Sequence, residues 1–163
     1  SINISPIQYK KADFTSKLLS VLEKYDVSPE KIELELTESV LVEDMEEVKQ
    51  KMFLLSDYGI KVSLDDFGTG FSSLSYLKTL PINTLKIDKS FIDTVLSDSA
   101  TRVITESIVD MVKSLGFESI AEGVEDEQQY KYLHAIGCDV IQGYFLGKPL
   151  PASEMEKLIQ TMV

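Results

Sequence analysis

Positive charge is scarce in this chain: 16 Lys and Arg stand against 27 Asp and Glu, for a formal net charge of −11 and an isoelectric point near 4.5. Such an acidic chain repels other polyanions, which argues against duplex DNA or an acidic membrane surface as the main partner. An anionic ligand would need metal ions to mediate its binding. Cysteine is scarcer still. The single Cys138 excludes an internal disulfide framework and reads as a small buried hydrophobe. The single His134 has no second histidine or cysteine at ligand spacing, which argues against a zinc site. No long apolar span and no leader peptide are visible, so the expected location is cytoplasmic, with membrane tethering of a longer parent protein left open. Low-complexity linkers and shifts of composition are absent too, which leaves no boundary for a second domain. What is present suffices for one: 163 residues with 44% hydrophobic content support a single sizeable core, and residues 1–163 are read as one domain.

The most informative stretch is Val62-Ser63-Leu64-Asp65-Asp66-Phe67-Gly68-Thr69-Gly70. A short apolar run reads as a buried strand, ends in two adjacent carboxylates and passes into a glycine-flanked loop. Neighbouring aspartates at the end of a buried strand repel each other, so their charge needs a cation or hydrogen-bond donors to offset it. A hard divalent cation such as Mg²⁺ or Mn²⁺ takes oxygen ligands, and a carboxylate shared between two ions is a common basis of phosphate chemistry. The plainer alternative is a pair of aspartates capping the next helix.

Along the chain, residues 1–6 read as a strand ending in a turn, and a start on a strand implies truncation upstream. Asp13 opens a helix with Leu18, Leu19 and Leu22 at helical spacing, ending near Tyr25. Ser28-Pro29-Glu30 breaks the chain, after which Ile32, Leu34 and Leu36 alternate with Glu33 and Glu35 as a strand. Asp44 caps a helix with an apolar stripe of Met45, Val48, Met52 and Leu55, stopped by Gly59. After Gly70 a short helix over residues 72–77 precedes Pro81, followed by a strand at Thr84-Leu85-Lys86-Ile87. A long helix from Ser97-Asp98-Ser99 to Gly116 leads to the strand Ser119-Ile120-Ala121, and Glu127 to Ile136 forms the next helix. Val140-Ile141 is the last strand, and the final helix starts near Ser153.

This is an α/β pattern of about six βα units, which predicts a parallel sheet. Asn3, Glu35, Asp65, Asp66, Lys86, Glu122 and Gln142 fall at or near successive strand ends. A (β/α) TIM-type barrel gathers such residues on one rim, whereas a doubly wound sheet gathers only a few at its switch point. The barrel is therefore the expected fold, incomplete because about six strand candidates stand where eight close the ring. Taken singly, Lys86 would be a solvated strand-end lysine and Glu122 a helix cap; the shared rim argues against both. Asp66-Phe67-Gly68 matches a kinase metal-binding triplet, but no glycine-rich nucleotide loop accompanies it.

Five motifs carry a resemblance. Glu35-Leu36-Thr37-Glu38-Ser39, Leu64-Asp65-Asp66-Phe67-Gly68-Thr69-Gly70, Leu85-Lys86-Ile87-Asp88, Ala121-Glu122-Gly123-Val124-Glu125 and Gln142-Gly143-Tyr144 resemble, in order and spacing, those of the EAL family of bacterial cyclic di-GMP phosphodiesterases. The likeness runs from Asn3 to Pro149 and implies a metal-dependent hydrolysis of cyclic di-GMP to linear pGpG. By resemblance, Asn3, Glu35 and Asp65 ligate one Mg²⁺ or Mn²⁺ ion, and Asp65 bridges to a second held also by Asp66. Lys86 orients the attacking water, Glu122 is the general base and Gln142 positions water or metal. Glu38 braces a flexible loop of Phe67, Gly68, Thr69, Gly70, Phe71, Ser72 and Ser73, which in such enzymes is tied to the second metal and to dimerisation. Further sensory or signalling domains in the parent protein and a homodimer are implied in the same way.

The chain also departs from the family. The Glu-Ala-Leu tripeptide that names it, whose glutamate is another metal ligand, does not occur in these residues, so the chain reads as the C-terminal portion of an EAL-type domain. Phe71 replaces a common Tyr and Lys89 a common Arg. The alternative function is a degenerate EAL domain, either a non-catalytic cyclic di-GMP receptor or a dimerisation and interaction module.

Overall fold

The computed structural model describes residues 1–41, 45–70 and 77–162. Its strands are β1 (Ile2–Ile4), β2 (Glu33–Thr37), β3 (Lys61–Phe67), β4 (Thr84–Ile87), β5 (Glu118–Glu122) and β6 (Val140–Gln142). They form one sheet in the order β1-β2-β3-β4-β5-β6, and each neighbouring pair is parallel. Spatial order that follows chain order means that successive crossovers step the same way, as in a (β/α) barrel; a doubly wound sheet would reverse at a switch point. Six of the eight strands of a closed barrel are described, and β1 and β6 each keep a free edge among them.

The helices are α1 (Pro6–Tyr9), α2 (Phe14–Lys24), α3 (Met45–Asp57), α4 (Lys89–Thr94), α5 (Ser99–Leu115), α6 (Glu127–Ala135) and α7 (Ala152–Met162). The longer ones follow their sequence signals. α3 buries Val48, Met52 and Leu55 and gives way to Gly59, whose φ of 85° favours a residue without Cβ. In α5, the Asp98 side chain accepts from the backbone amides of Ala100 and Thr101, and Ile108, Val109 and Val112 are buried. Asp126 and Gln129 form a capping box on α6, so that helix has its own cap and Glu122 is not needed as one. Asp44 and residues 71–76, where the sequence places a helix cap and most of a short helix, lie outside the described residues.

Two short helices were not expected from the sequence. The turn after β1 is the helical turn α1, closed by a capping box between Ser5 and Gln8 with Pro6 in its first turn. Asp88 caps α4 by accepting from the Ser90 amide at 3.0 Å. Four and six residues are too few for a helical period to show in sequence.

Alternation divides each central strand between two environments. Leu34 and Leu36 of β2, Val62 and Leu64 of β3, and Leu85 and Ile87 of β4 are fully buried in the main core cluster. Burial of each such side chain contributes about 1.5–3 kcal/mol. Residues at the alternate positions are polar and meet one another: Thr84 Oγ1 donates to Glu33 Oε1 at 3.0 Å, and Lys86 reaches Glu35 and Asp65. The face of the sheet that a closed barrel would enclose is thus polar, and it leads upward to the strand ends.

Candidate active site

The adjacent aspartates share one face because β3 carries one residue too many for its partner. Leu64 pairs with Leu85 and Phe67 with Ile87, so three steps along β3 span two along β4. Asp66 absorbs the extra residue with a φ of 55°, a left-handed conformation that costs about 1 kcal/mol outside glycine. The Asp66 amide donates to Asp65 Oδ1 at 3.1 Å. Strict alternation would send the two side chains to opposite faces. With the bulge, one carboxylate oxygen each from Asp65, Asp66 and Glu122 lie within 4.8 Å of one another.

Lys86 sits at the centre of this rim, 3% exposed. Its Nζ lies 2.7 Å from Glu122 Oε1, 3.1 Å from Asp65 Oδ1 and 3.1 Å from Glu35 Oε2. This excludes the solvated strand-end lysine. Burial alone would depress its pKa, but the three carboxylates outweigh burial and hold it well above the ordinary lysine range. Burial lifts Glu122 above the usual carboxylate range; Lys86 offsets this only in part, and Asp65 and Glu35 add repulsion. Asp66 is raised by burial and then by Asp65 and Asp88. For Glu35 burial is the largest influence, yet hydrogen bonds from Ser1 and Lys86 together leave it below the ordinary value.

Asn3 pairs in register with Glu35 on the outer strand β1 and is exposed, and Gln142 pairs in register with Glu122 on β6 and is exposed. Both flank the rim. Glu38 is 5% exposed, and its Oε2 accepts from the amides of Gly68 at 3.3 Å and Gly70 at 3.2 Å. A Cβ on Gly70 would lie 2.9 Å from Glu38 Cδ, so a larger residue there would displace the Glu38 carboxylate. Phe67, which the resemblance counted with the loop, instead ends β3: pairing resumes after the bulge and buries it in the core. Phe71, Ser72 and Ser73 lie outside the described residues.

Beyond Glu122 the rim opens into a cavity of about 280 Å³, lined by Lys89, Glu122, Gly123, Glu125, Gln142 and Tyr144 among others. Lys89, Glu125 and Tyr144 were given no site role from the sequence. The signal available was their proximity to Asp88, Glu122 and Gln142. Gly143 fixes one wall: a Cβ there would fall 2.1 Å from the Val124 carbonyl oxygen. Val124 N donates to Gln142 O, and Phe145 N to Val124 O, which joins the ends of β5 and β6.

Six parallel βα units in ring order, with strand-end carboxylates gathered around one buried lysine, define an α/β domain of the TIM-barrel type with an acidic rim. The chain belongs to the EAL domain family, which it matches over residues 1–149. The signaling protein YkoW of Bacillus subtilis (strain 168) is 42% identical over 159 residues, or 98% of this chain and 20% of that protein. The bifunctional diguanylate cyclase/cyclic di-GMP phosphodiesterase MucR of Pseudomonas aeruginosa is 38% identical over 155 residues, 95% of this chain and 23% of MucR. A solved structure of PaMucR phosphodiesterase in complex with c-di-GMP superposes with a TM-score of 0.91 at 38% identity, covering 94% of this chain and 62% of that one. The manganese/cy-diGMP complex of Klebsiella pneumoniae BlrP1 superposes with a TM-score of 0.78 at 26% identity, covering 87% and 37%. The chain spans about a fifth of the length of the two curated relatives.

Proposed function

We propose that this chain is the C-terminal portion of an EAL-type domain that hydrolyses cyclic di-GMP to linear pGpG in bacterial second-messenger signalling. The observation that carries the reading is the convergence of Glu35, Asp65 and Glu122 on buried Lys86, with Asp66 beside them. With all groups ionised, four carboxylates face one ammonium, a surplus of three negative charges in a partly buried rim. The donors are all oxygen, so the set fits hard divalent cations and not zinc-type softer sites.

Two Mg²⁺ or Mn²⁺ ions are proposed, with Asn3, Glu35 and Asp65 as ligands of one and Asp65 and Asp66 as ligands of the other. Glu122 stands within reach of the same cluster, as expected of residues on one shared rim. Such ions supply charge neutralisation and Lewis-acid stabilisation to phosphodiester cleavage. The chain's own groups do the rest. Glu122, its proton affinity raised, takes the proton of the attacking water; Lys86 presents positive charge to the oxygens on which negative charge develops; Gln142 orients the water from the neighbouring strand. The water oxygen forms a bond to phosphorus as the bond to the leaving sugar oxygen breaks. Glu38, through Gly68 and Gly70, holds the loop that follows Phe67.

Cyclic di-GMP turnover is the test, measured with Mg²⁺ or Mn²⁺ on this chain and on one extended upstream to include a Glu-Ala-Leu segment. Formation of pGpG that Glu122→Gln abolishes is the expected result. The second reading is a receptor or interaction module. Nucleotide binding without cleavage in either form would replace the hydrolase with the receptor. A homodimer, further sensory or signalling domains in a longer parent, and a cytoplasmic location belong to the same proposal. No helix among the described residues is long and apolar enough to cross a membrane.

A further inference from the structure

Lys89 touches the cleft with both ends of its side chain. Its stem lies against the turn after Glu122: Gly123 has a φ of 71°, and a Cβ there would sit 2.3 Å from Lys89 Cγ. Its ammonium lies 3.0 Å from Glu125 Oε1 and also pairs with Asp93 one turn along α4. Lys89 and Glu125 line the same cavity as Glu122 and Gln142. One side chain therefore joins α4 to the segment that leaves the catalytic rim. Lys86 cannot stand in for it, because that ammonium is already engaged by three carboxylates.

We infer that Lys89 is a positioning residue for substrate capture: it holds Glu125 against the cleft wall and keeps the cleft mouth one charge less negative toward an anionic dinucleotide. The inference rests on the hydrolase reading above. Without the ammonium, Glu125 would present an unpaired carboxylate to the cavity, with the Asp93 charge left unbalanced behind it, against a ligand that carries two phosphate charges. The lysine side chain is 46% exposed, so its field acts through solvent and bears on ligand approach more than on the buried chemical step.

Steady-state hydrolysis of cyclic di-GMP by the full-length protein decides the matter. Lys89→Met keeps the stem and removes the charge; KM is expected to rise about five- to tenfold, with kcat within about twofold of wild type. The gap in KM should narrow as salt is added, and Lys89→Arg should restore the wild-type KM. A merely structural role would instead lower kcat and the melting temperature together and would leave the gap insensitive to salt. An unchanged KM in Lys89→Met, or a loss confined to kcat, overturns the inference while turnover by the wild type keeps the hydrolase reading intact. A wild type that forms no pGpG overturns both.

Discussion

Lys86 and Lys89 lie three residues apart, each bound to more than one carboxylate, and they differ in almost everything else. Lys86 has three partners and a side chain 4% exposed; Lys89 has two, and its side chain is 46% exposed. Both are held above the ordinary lysine pKa, Lys86 against a large opposing effect of burial and Lys89 chiefly by the Asp93 and Glu125 contacts. The difference teaches that partner count says little about what a charge does. A buried ammonium among carboxylates is bound up with the fold, because removing it strands charges away from water. An exposed one adds little to stability and remains available to a passing ligand.

The comparison can be tested from its strong end to its weak one. Lys86→Met leaves Glu35, Asp65 and Glu122 without their common cation and should lower stability by about 3–5 kcal/mol in urea unfolding without divalent ions. Added Mg²⁺ or Mn²⁺ should recover part of that loss. Glu122→Gln removes the closest of the three partners from a set already rich in negative charge. Turnover should fall by about 10³-fold while stability holds or rises, measured by pGpG release and thermal melting. Gly143→Ala asks whether the flank around Lys89 is as rigid as the centre around Lys86: the new Cβ meets Val124 backbone atoms that are themselves hydrogen-bonded. A loss of about 2–3 kcal/mol is expected, with Gly147→Ala, which meets nothing within 4 Å, as the silent control.

Lower on the same strands, hydrogen bonds from the Ser119 hydroxyl at 2.6 Å and amide at 2.9 Å hold the Asp139 carboxyl below its usual range. Its folded pKa lies below its unfolded one, so this stability is present above the unfolded value and is lost as pH falls through the folded one. Asp139→Asn should cost about 1 kcal/mol at pH 7 and flatten that part of the acid limb in urea titrations. Lys89→Met, last, should change stability by less than about 0.5 kcal/mol, since both of its ion pairs are exposed. A larger loss would erase the distinction between the two lysines.

Much of this was legible in the sequence, for identifiable reasons. The apolar residues Leu34, Leu36, Val62, Leu64, Leu85 and Ile87 alternate with polar ones, and alternation is a property of the chain alone. α3 and α5 carry stripes and stops long enough to read. The close approaches were not legible: Gly123 against Lys89 and Gly143 against Val124 depend on which segments meet across β4 and β5 and across β5 and β6. α1 and α4 were too short to show a period. The rim residues and their gathering on one rim were legible from strand ends, but the β3 bulge that turns Asp66 beside Asp65 and Glu122 was not.

That bulge has a consequence for how β3 can vary. Deleting Asp66 would relieve the left-handed backbone and let Leu64 to Phe67 follow Leu85 to Ile87 step for step, a better ladder by every local measure. The same deletion would take one carboxylate from the rim. The length of this strand is therefore set where folding preference and chemistry disagree, and stabilising selection acting on the ladder alone would shorten it. If the proposed hydrolysis is what keeps Asp66, a descendant relieved of it would be free to lose the extra residue, and the length of this segment in relatives would record whether the site is still in use.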